Sequence, residues 1–293
     1  MNLRDRPKRS VALSSTDRMF PLSHWPETDR RQIIGVFTDI DDTLTTDGAI
    51  TANALKALAQ LKEAGLHVIP ITGRPVGWSE PFACSWPVDA IVAENGAVAL
   101  VHRLFANKKG QKSASDGAGV LSKLYQQDLS IRRANHARMQ QVAARVLREV
   151  PGSSLAQDSQ GRETDIAIDH SEFSHLSTER IAQAVQIMQA EGMTATVSSI
   201  HINGWFGEHH KLSGAHWIVR KLWGRDLDAE IGRWVYVGDS TNDQVMFEAF
   251  PHSVGVANIA RFLPELKHKP RYVTLGERGA GFAEVAERVC ASR

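Results

Sequence analysis

VFTDIDDTLTTDG, residues 36–48, places four carboxylates, Asp39, Asp41, Asp42 and Asp47, directly behind the apolar run Ile33 to Phe37. Like charges at such spacing repel, so the cluster needs a compensating positive group. The run before it is continuously apolar, as expected of a strand covered on both faces of a parallel sheet. Open parallel sheets bind ligands outside the carboxyl ends of their strands. Asp39 and Asp41 fall at such an end.

Outward from this stretch the pattern is strand, helix, strand. A strand is expected over residues 33–38 and a helix over 53–64, where Leu55, Leu58 and Leu61 recur at helical spacing before Gly65. Strands follow over 66–71 and 88–93. Near the other end, RWVYVGDS (233–240), HSVGVAN (252–258) and RYVTL (271–275) give three more apolar strands. These runs bracket the chain with right-handed crossover units of a Rossmann-like parallel sheet.

The middle reads differently. Residues 107–117 are polar and loop-like; a helix is expected over 131–150, a strand over 163–169, a helix over 178–190 and one strand over 194–203. This is an α+β module inserted in an α/β core. The expected division is a mobile tail over 1–30, a core formed by 31–100 and 208–293, and an inserted cap over 101–207. Phe20, Leu22 and Trp25 are the tail residues able to dock on the body.

The 293 residues carry 34 basic and 33 acidic side chains, and that balance argues against nucleic acid or an anionic membrane as a partner. Two cysteines far apart are no disulfide framework. The basic start, MNLRDRPKRSVALSS, lacks a long apolar segment, so a cytoplasmic protein is expected.

Buried paired carboxylates call for a hard divalent cation, and Mg²⁺ suits oxygen ligands and phosphate. A second acidic group stands behind another strand, in Gly238-Asp239-Ser240-Thr241-Asn242-Asp243. After the second strand, Ile71-Thr72-Gly73-Arg74 offers a hydroxyl and a close backbone approach. Arg74 could touch a substrate phosphate or cap a neighbouring strand. Lys211 begins an apparent helix, whose free N–H groups also favour an anion.

These four segments, in this order, resemble the haloacid dehalogenase superfamily of phosphohydrolases. Asp39-Ile40-Asp41-Asp42-Thr43 is similar to its nucleophile motif. Thr72, Lys211 and the 238–243 segment match the second, third and fourth motifs. The insertion lies where the family places a type-II cap, and Glu94-Asn95-Gly96-Ala97 is similar to the Asn-Gly signature of subfamily IIB. That subfamily includes sucrose-phosphate, mannosylphosphoglycerate and trehalose-phosphate phosphatases and phosphomannomutases. Leu212 departs from the Gly that usually follows the motif lysine.

The resemblance implies a Mg²⁺-dependent phosphatase of a small phosphorylated sugar, glycoside or glycerate. In it Asp39 is the nucleophile and Asp41 the general acid and base. Thr72, Gly73, Lys211 and Asn242 bind the phosphate. Asp39, Asp41, Asp239 and Asp243 form the metal site. Asp42 and Asp47 are assigned to the turn. A phosphomutase of the same subfamily and a phospho-accepting sensor are the alternative readings.

Strand alternation sorts the cap. Thr164, Ile166 and Ile168 share an inward face, as do Ile200 and Ile202. Asp165, His201 and Asn203 face the other way and are the candidates for substrate specificity, polar groups suited to a polyol. Trp205 and Phe206 either stack on a sugar ring or pack the hinge.

Overall fold

The computed structural model describes residues 18–102 and 121–293. Its strands are β1 (Phe20–Pro21), β2 (Gly35–Thr38), β3 (Thr45–Thr46), β4 (Ala49–Ile50), β5 (His67–Pro70), β6 (Ala90–Ala93), β7 (Val98–His102), β8 (Leu121–Tyr125), β9 (Ser154–Leu155), β10 (Ile166–Asp169), β11 (Thr194–Val197), β12 (His201–Trp205), β13 (Trp234–Gly238), β14 (His252–Gly255) and β15 (Tyr272–Val273).

The core sheet runs β1-β15-β14-β13-β2-β5. All its pairs are parallel. A parallel bridge between Ile71 and Val92 joins β5 to β6, and β6, β7 and β8 continue as antiparallel neighbours. Alternation along the buried strands builds two apolar layers. Val36, Val68, Val235 and Val254 pack under the helices Ala52–Glu63 and Arg278–Cys290. Phe37, Ile69, Trp234 and Tyr236 pack under the helix Lys211–Trp223. Leu55 is 38 % exposed while Leu58 and Leu61 are buried, so the apolar stripe of that first helix is completed by Ala54 and Ala57.

The second unit is an antiparallel sheet, β11-β12-β10-β9, with the helices Leu129–Glu149 and Thr178–Ala190 on one face. Met139, Val142, Ile166, Ile168, Met188 and Ile202 form its core. Ile166, Ile168 and Ile202 therefore lie on the face the alternation assigned them. Ile200 does not: it stands in the turn between strands.

Several expected boundaries shift for physical reasons. The single strand expected over 194–203 is a hairpin. The Ser198 hydroxyl accepts the N–H groups of Ile200 and His201, a serine-built turn with no Gly or Pro to announce it. The cap expected to start at 101 starts later, because β8 pairs with β7 and so belongs to the core. The expected tail is shorter within the described residues: Phe20 pairs with Tyr272, and Leu22 and Trp25 are buried. The loop expected over 107–117 lies outside the described residues.

The helix Val76–Ser85 escaped the sequence reading, since Pro81 interrupts its pattern. Pro75 caps it and fixes the entry of the chain. Asp47 and Gly48 both take positive φ, 51° and 78°, and form the two-residue turn of the β3–β4 hairpin.

Candidate active site

Three chain segments bring their functional groups to one end of the core sheet. Asp39 follows β2, Thr72 follows β5, and Asp239 follows β13. Because these strands are parallel neighbours, their carboxyl ends point the same way. Lys211 arrives from the first position of its helix, and its ammonium is buried at 2 % exposure.

Lys211 Nζ lies 2.9 Å from Asp39 Oδ1 and 2.6 Å from Asp243 Oδ1. It also donates to Asn242 Oδ1 at 3.4 Å. Burial alone would strip the ammonium of its proton, but the two carboxylates reverse that and raise its pKa. Leu212, where a glycine is usual, packs against the apolar layer beneath the helix and leaves the lysine's reach intact.

Asp243 is fully used by the protein. Its Oδ2 accepts the backbone N–H groups of Asp239 and Ser240 at 2.9 and 3.1 Å. Its Oδ1 accepts the Tyr236 hydroxyl as well as Lys211. It holds the turn and the lysine, and little of its lone-pair capacity is free.

Asp39 and Asp239 differ. Burial pushes the Asp39 carboxyl up to about 7 against the pull of Lys211, and Asp243 and Asp41 push the same way. Burial, then Asp243 and Asp39, push Asp239 well above the usual carboxylate range. Asp239 receives long contacts, from the Thr43 hydroxyl at 3.4 Å, Asn258 Nδ2 at 3.3 Å and the half-exposed Arg261 guanidinium at 3.5 Å. Carboxylate oxygens of Asp39, Asp239 and Asp243 lie within 4.8 Å of one another. One lysine set among three buried carboxylates leaves excess negative charge, and a hard divalent cation is the group that such a donor set fits.

Asp41 turns elsewhere. Its side chain lies outside that carboxylate cluster and is held by Arg74, whose Nε donates to both Asp41 oxygens at 3.0 Å. The metal role expected of Asp41 belongs to its backbone carbonyl, and this pairing engages the side chain alone. Arg74 is 4 % exposed and spans from core to cap. Its Nη1 reaches Asp158 at 3.1 Å and its Nη2 reaches Glu172 at 2.7 Å. Glu172 in turn meets His201 Nε2 at 2.7 Å. Burial opposes the charge on Glu172, yet the His201 and Arg74 hydrogen bonds hold its carboxyl down at about 2.

Thr72 is fully buried, and its hydroxyl accepts the Arg74 N–H at 3.0 Å, an ST-turn that shapes the loop. The Gly73 carbonyl accepts Arg162 Nη1 at 3.0 Å and Asn203 Nδ2 at 3.3 Å. The loop thus meets the cap directly. A Cβ on Gly73 would lie 3.2–3.3 Å from Asn203 and Asn95.

The cap candidates divide. Asp165 takes Arg162 Nη1 at 2.8 Å and Asn203 Nδ2 at 3.2 Å. Both Asp165 and Asn203 are buried in the seam against Gly73 and Asn95. They fasten cap to core and do not line the cavity beside Asp41. His201 acts on that cavity through Glu172. The cavity, about 590 Å³, is lined among others by Asp41, Arg74, His170, Glu172, Ser199 and Arg261. Trp205 and Phe206 are packed into the cap core and are not among the residues lining the cavity beside Asp41.

Asp42 and Asp47 serve the turn. Asp42 takes φ 54° and is paired with Arg261 at 2.7 Å and Arg278 at 3.1 Å. Glu172, Asp158, Tyr236 and Asn258 were not found from sequence. Glu172 and Asp158 sit in loops with no period to mark them. Tyr236 had a usable signal, since it is the polar-tipped residue on an otherwise apolar strand that ends at Asp239.

Residues 36–141 match the sequence model of the haloacid dehalogenase-like hydrolases. No curated protein matches the chain in sequence. Among solved structures, one from Thermoplasma acidophilum is 15 % identical, covers 89 % of this chain and 99 % of its own, and superposes with a TM-score of 0.61. The sucrose-phosphatase of Synechocystis, solved with sucrose and phosphate, is 14 % identical, covers 88 % and 98 %, and scores 0.58. The C-terminal domain of the Candida albicans trehalose-6-phosphate phosphatase is 13 % identical, covers 90 % and 95 %, and scores 0.59. At these identities the likeness is one of fold.

Proposed function

The chain is haloacid dehalogenase-like in its matched sequence and in its fold, and from that premise we propose that it is a Mg²⁺-dependent phosphatase acting on a small phosphorylated sugar, glycoside or glycerate. The observation that carries the reading is the meeting of Asp39, Lys211, Asp239 and Asp243 at one sheet edge, with Lys211 bridging Asp39 and Asp243 at 2.9 and 2.6 Å.

Asp39 is the nucleophile. One of its carboxylate oxygens attacks phosphorus, an aspartyl-phosphate forms, and the bond from phosphorus to the leaving oxygen breaks. Asp41 gives its proton to that oxygen. Water then attacks the phosphorus of the intermediate and passes a proton to Asp41, which frees phosphate and restores the Asp39 carboxylate. Lys211, with the Thr72 hydroxyl and the Asn242 amide, holds the phosphoryl oxygens and balances the charge that develops on them.

Mg²⁺, held by Asp39 and Asp239, would supply charge neutralisation between a carboxylate and an anionic ester. Asp243 orients Lys211 and the backbone of the 238–243 turn. The leaving group lies in the cavity beside Asp41, where Glu172 and Ser199 are polar groups of the lining. The polar lining and the phosphatase fold support a polyhydroxy leaving group.

The test is phosphate release from a panel of phosphorylated sugars, glycosides and glycerates, with Mg²⁺ and with chelator. Selective release from one compound, abolished by chelator, is the expected result. Release that persists undiminished in chelator contradicts the reading.

A further inference from the structure

We propose that Arg74 is a positioning residue that makes the orientation of Asp41 depend on closure of the cap. The inference rests on the hydrolytic role proposed for Asp41. Its observation is the division of one guanidinium between core and cap. Nε donates to both oxygens of Asp41 at 3.0 Å on the core side. Nη1 and Nη2 donate to Asp158 and Glu172 at 3.1 and 2.7 Å on the cap side.

A guanidinium is planar and rigid, so fixing its two Nη groups also fixes the direction of Nε. Asp41 is thereby held in one rotamer only while the cap supplies both carboxylates. With the cap away, Arg74 keeps Asp41 alone, and the fork is free to turn. Trp78, whose ring lies 5.0 Å from the guanidinium carbon, limits that turning from the core side.

The charges point the same way. Closure brings Asp158 and Glu172 towards Asp41, and the repulsion among three carboxylates is met by Arg74. Arg162 shares the load by donating to Asp158 Oδ1 at 3.1 Å, and His201 shares it on Glu172. Arg74 is thus also what lets the cap close. Asp41, Arg74 and Glu172 all line the cavity assigned to the leaving group. Proton delivery and cap position meet where the leaving oxygen emerges.

A merely structural ion pair would slow all substrates alike; a device that orients the acid would not. Nitrophenolate leaves without a proton, and a glycerol alkoxide does not. The full chain as wild type, R74Q, R74K and D158N/E172Q is assayed with Mg²⁺ on p-nitrophenyl phosphate and on β-glycerophosphate.

R74Q is expected to lower kcat on glycerophosphate by about 100-fold or more, and to cost about tenfold less on the nitrophenyl ester. R74K is expected not to restore the difference, since a single ammonium cannot span three carboxylates. D158N/E172Q, altered on the cap alone, is expected to show the same selective loss to a smaller degree. This variant carries the test if R74Q does not fold. Equal losses on both esters in either variant overturn the proposal.

Amide exchange over residues 166–173 tests closure without turnover. It is expected to quicken in R74Q and to return towards wild type in R74Q/D158N/E172Q, where the repulsion is gone. Unchanged exchange in R74Q overturns the proposal. A wild type that turns over neither ester overturns the hydrolase reading instead, and the exchange measurement then decides on Arg74.

Discussion

At Asp39 a buried carboxylate lies 2.9 Å from the Lys211 ammonium, in a pocket that also holds Asp239 and Asp243. One positive and three acidic groups out of water make a poor balance, and the raised pKa of Asp39, about 7, states its cost. A cation that binds the folded state alone stabilises it by mass action. Millimolar Mg²⁺ is therefore expected to raise the melting temperature of the wild type by a few degrees, read by scanning calorimetry against chelator. D239N should lose most of that rise while melting in chelator no lower than the wild type, because it removes a buried acid that Asp243 and Asp39 repel and only the distant Arg261, at 3.5 Å, offsets. An equal Mg²⁺ shift in D239N would place the cation elsewhere. At this scale the sequence was informative wherever a carboxylate stood behind an apolar run, as Asp39 and Asp239 do. It was silent on Glu172 and Asp158, which reach the site from loops, and Asp165 and Asn203, expected to meet substrate, lie in the seam between cap and core. Alternation correctly put those two on the outward face of the cap sheet, but it does not distinguish the part of that face that closes on the core from the part that borders a cavity.

The chain passes between core and cap near Glu94 and returns past His209. Glu94 is fully buried and takes φ 49°, next to Asn95 at 54°. Its carboxylate accepts the N–H of Val76 at 3.1 Å and of Glu163 at 3.0 Å, together with the N–H and hydroxyl of Thr164. This anchors the chain entering β10 to the core. Gly96, at φ 108°, completes the turn: a Cβ there would lie 2.5 Å from the His210 carbonyl, so the helix from Lys211 could not approach. Glu94→Gln replaces one acceptor oxygen by a donor among donors. It is expected to cost about 1–3 kcal/mol in denaturant unfolding, and an unchanged midpoint would show that the cap anchor lies elsewhere.

His209 is 5 % exposed and rests on the Trp205 ring at 5.3 Å. Among the described residues neither of its ring nitrogens has a partner. Burial, with a lesser push from His210, lowers its pKa from 6.5 to about 4. In the fold the ring stays neutral down to about pH 4, whereas the unfolded chain takes up the proton below about 6.5. The contribution is present above pH 6.5 and is lost as the pH falls towards 4. His209→Phe should remove a loss on the order of 1–3 kcal/mol by pH 4, seen as a flatter curve of melting temperature against pH. Parallel curves for the two proteins would contradict it. Nothing in the sequence foretold this histidine's state. Lys211, two positions on, suggested a phosphate site, but the environment of His209 is set by Trp205, which the chain places against it only on leaving the cap.

Among the described residues a six-stranded parallel sheet, continued beyond β5 by the antiparallel β6-β7-β8, carries a four-stranded antiparallel cap sheet over the end where Asp39 lies. The alternation of apolar strands and helices in the flanks was enough to read the core, and the change of pattern in the middle was enough to read an insertion. The seam between them was not legible, because it depends on which polar groups of two modules come face to face. Arg74 to Asp158 and Glu172, Arg162 to the Gly73 carbonyl, and Thr241 to the Val197 carbonyl at 2.6 Å are all pairings of residues distant in sequence. They enclose the sheet edge where Asp39 lies and leave the cavity beside Asp41 as room for a leaving group. Such closure excludes water from a reactive intermediate, and it makes chemistry at Asp39 the property to examine. The most direct measurement is mass spectrometry of the peptide carrying Asp39 after rapid acid quench with p-nitrophenyl phosphate and Mg²⁺. The account predicts phosphate covalently on Asp39 in the wild type and none in D39N, with turnover in D39N lower on the order of 10³-fold or more. Phosphate found on another residue, or turnover undiminished in D39N, would contradict it.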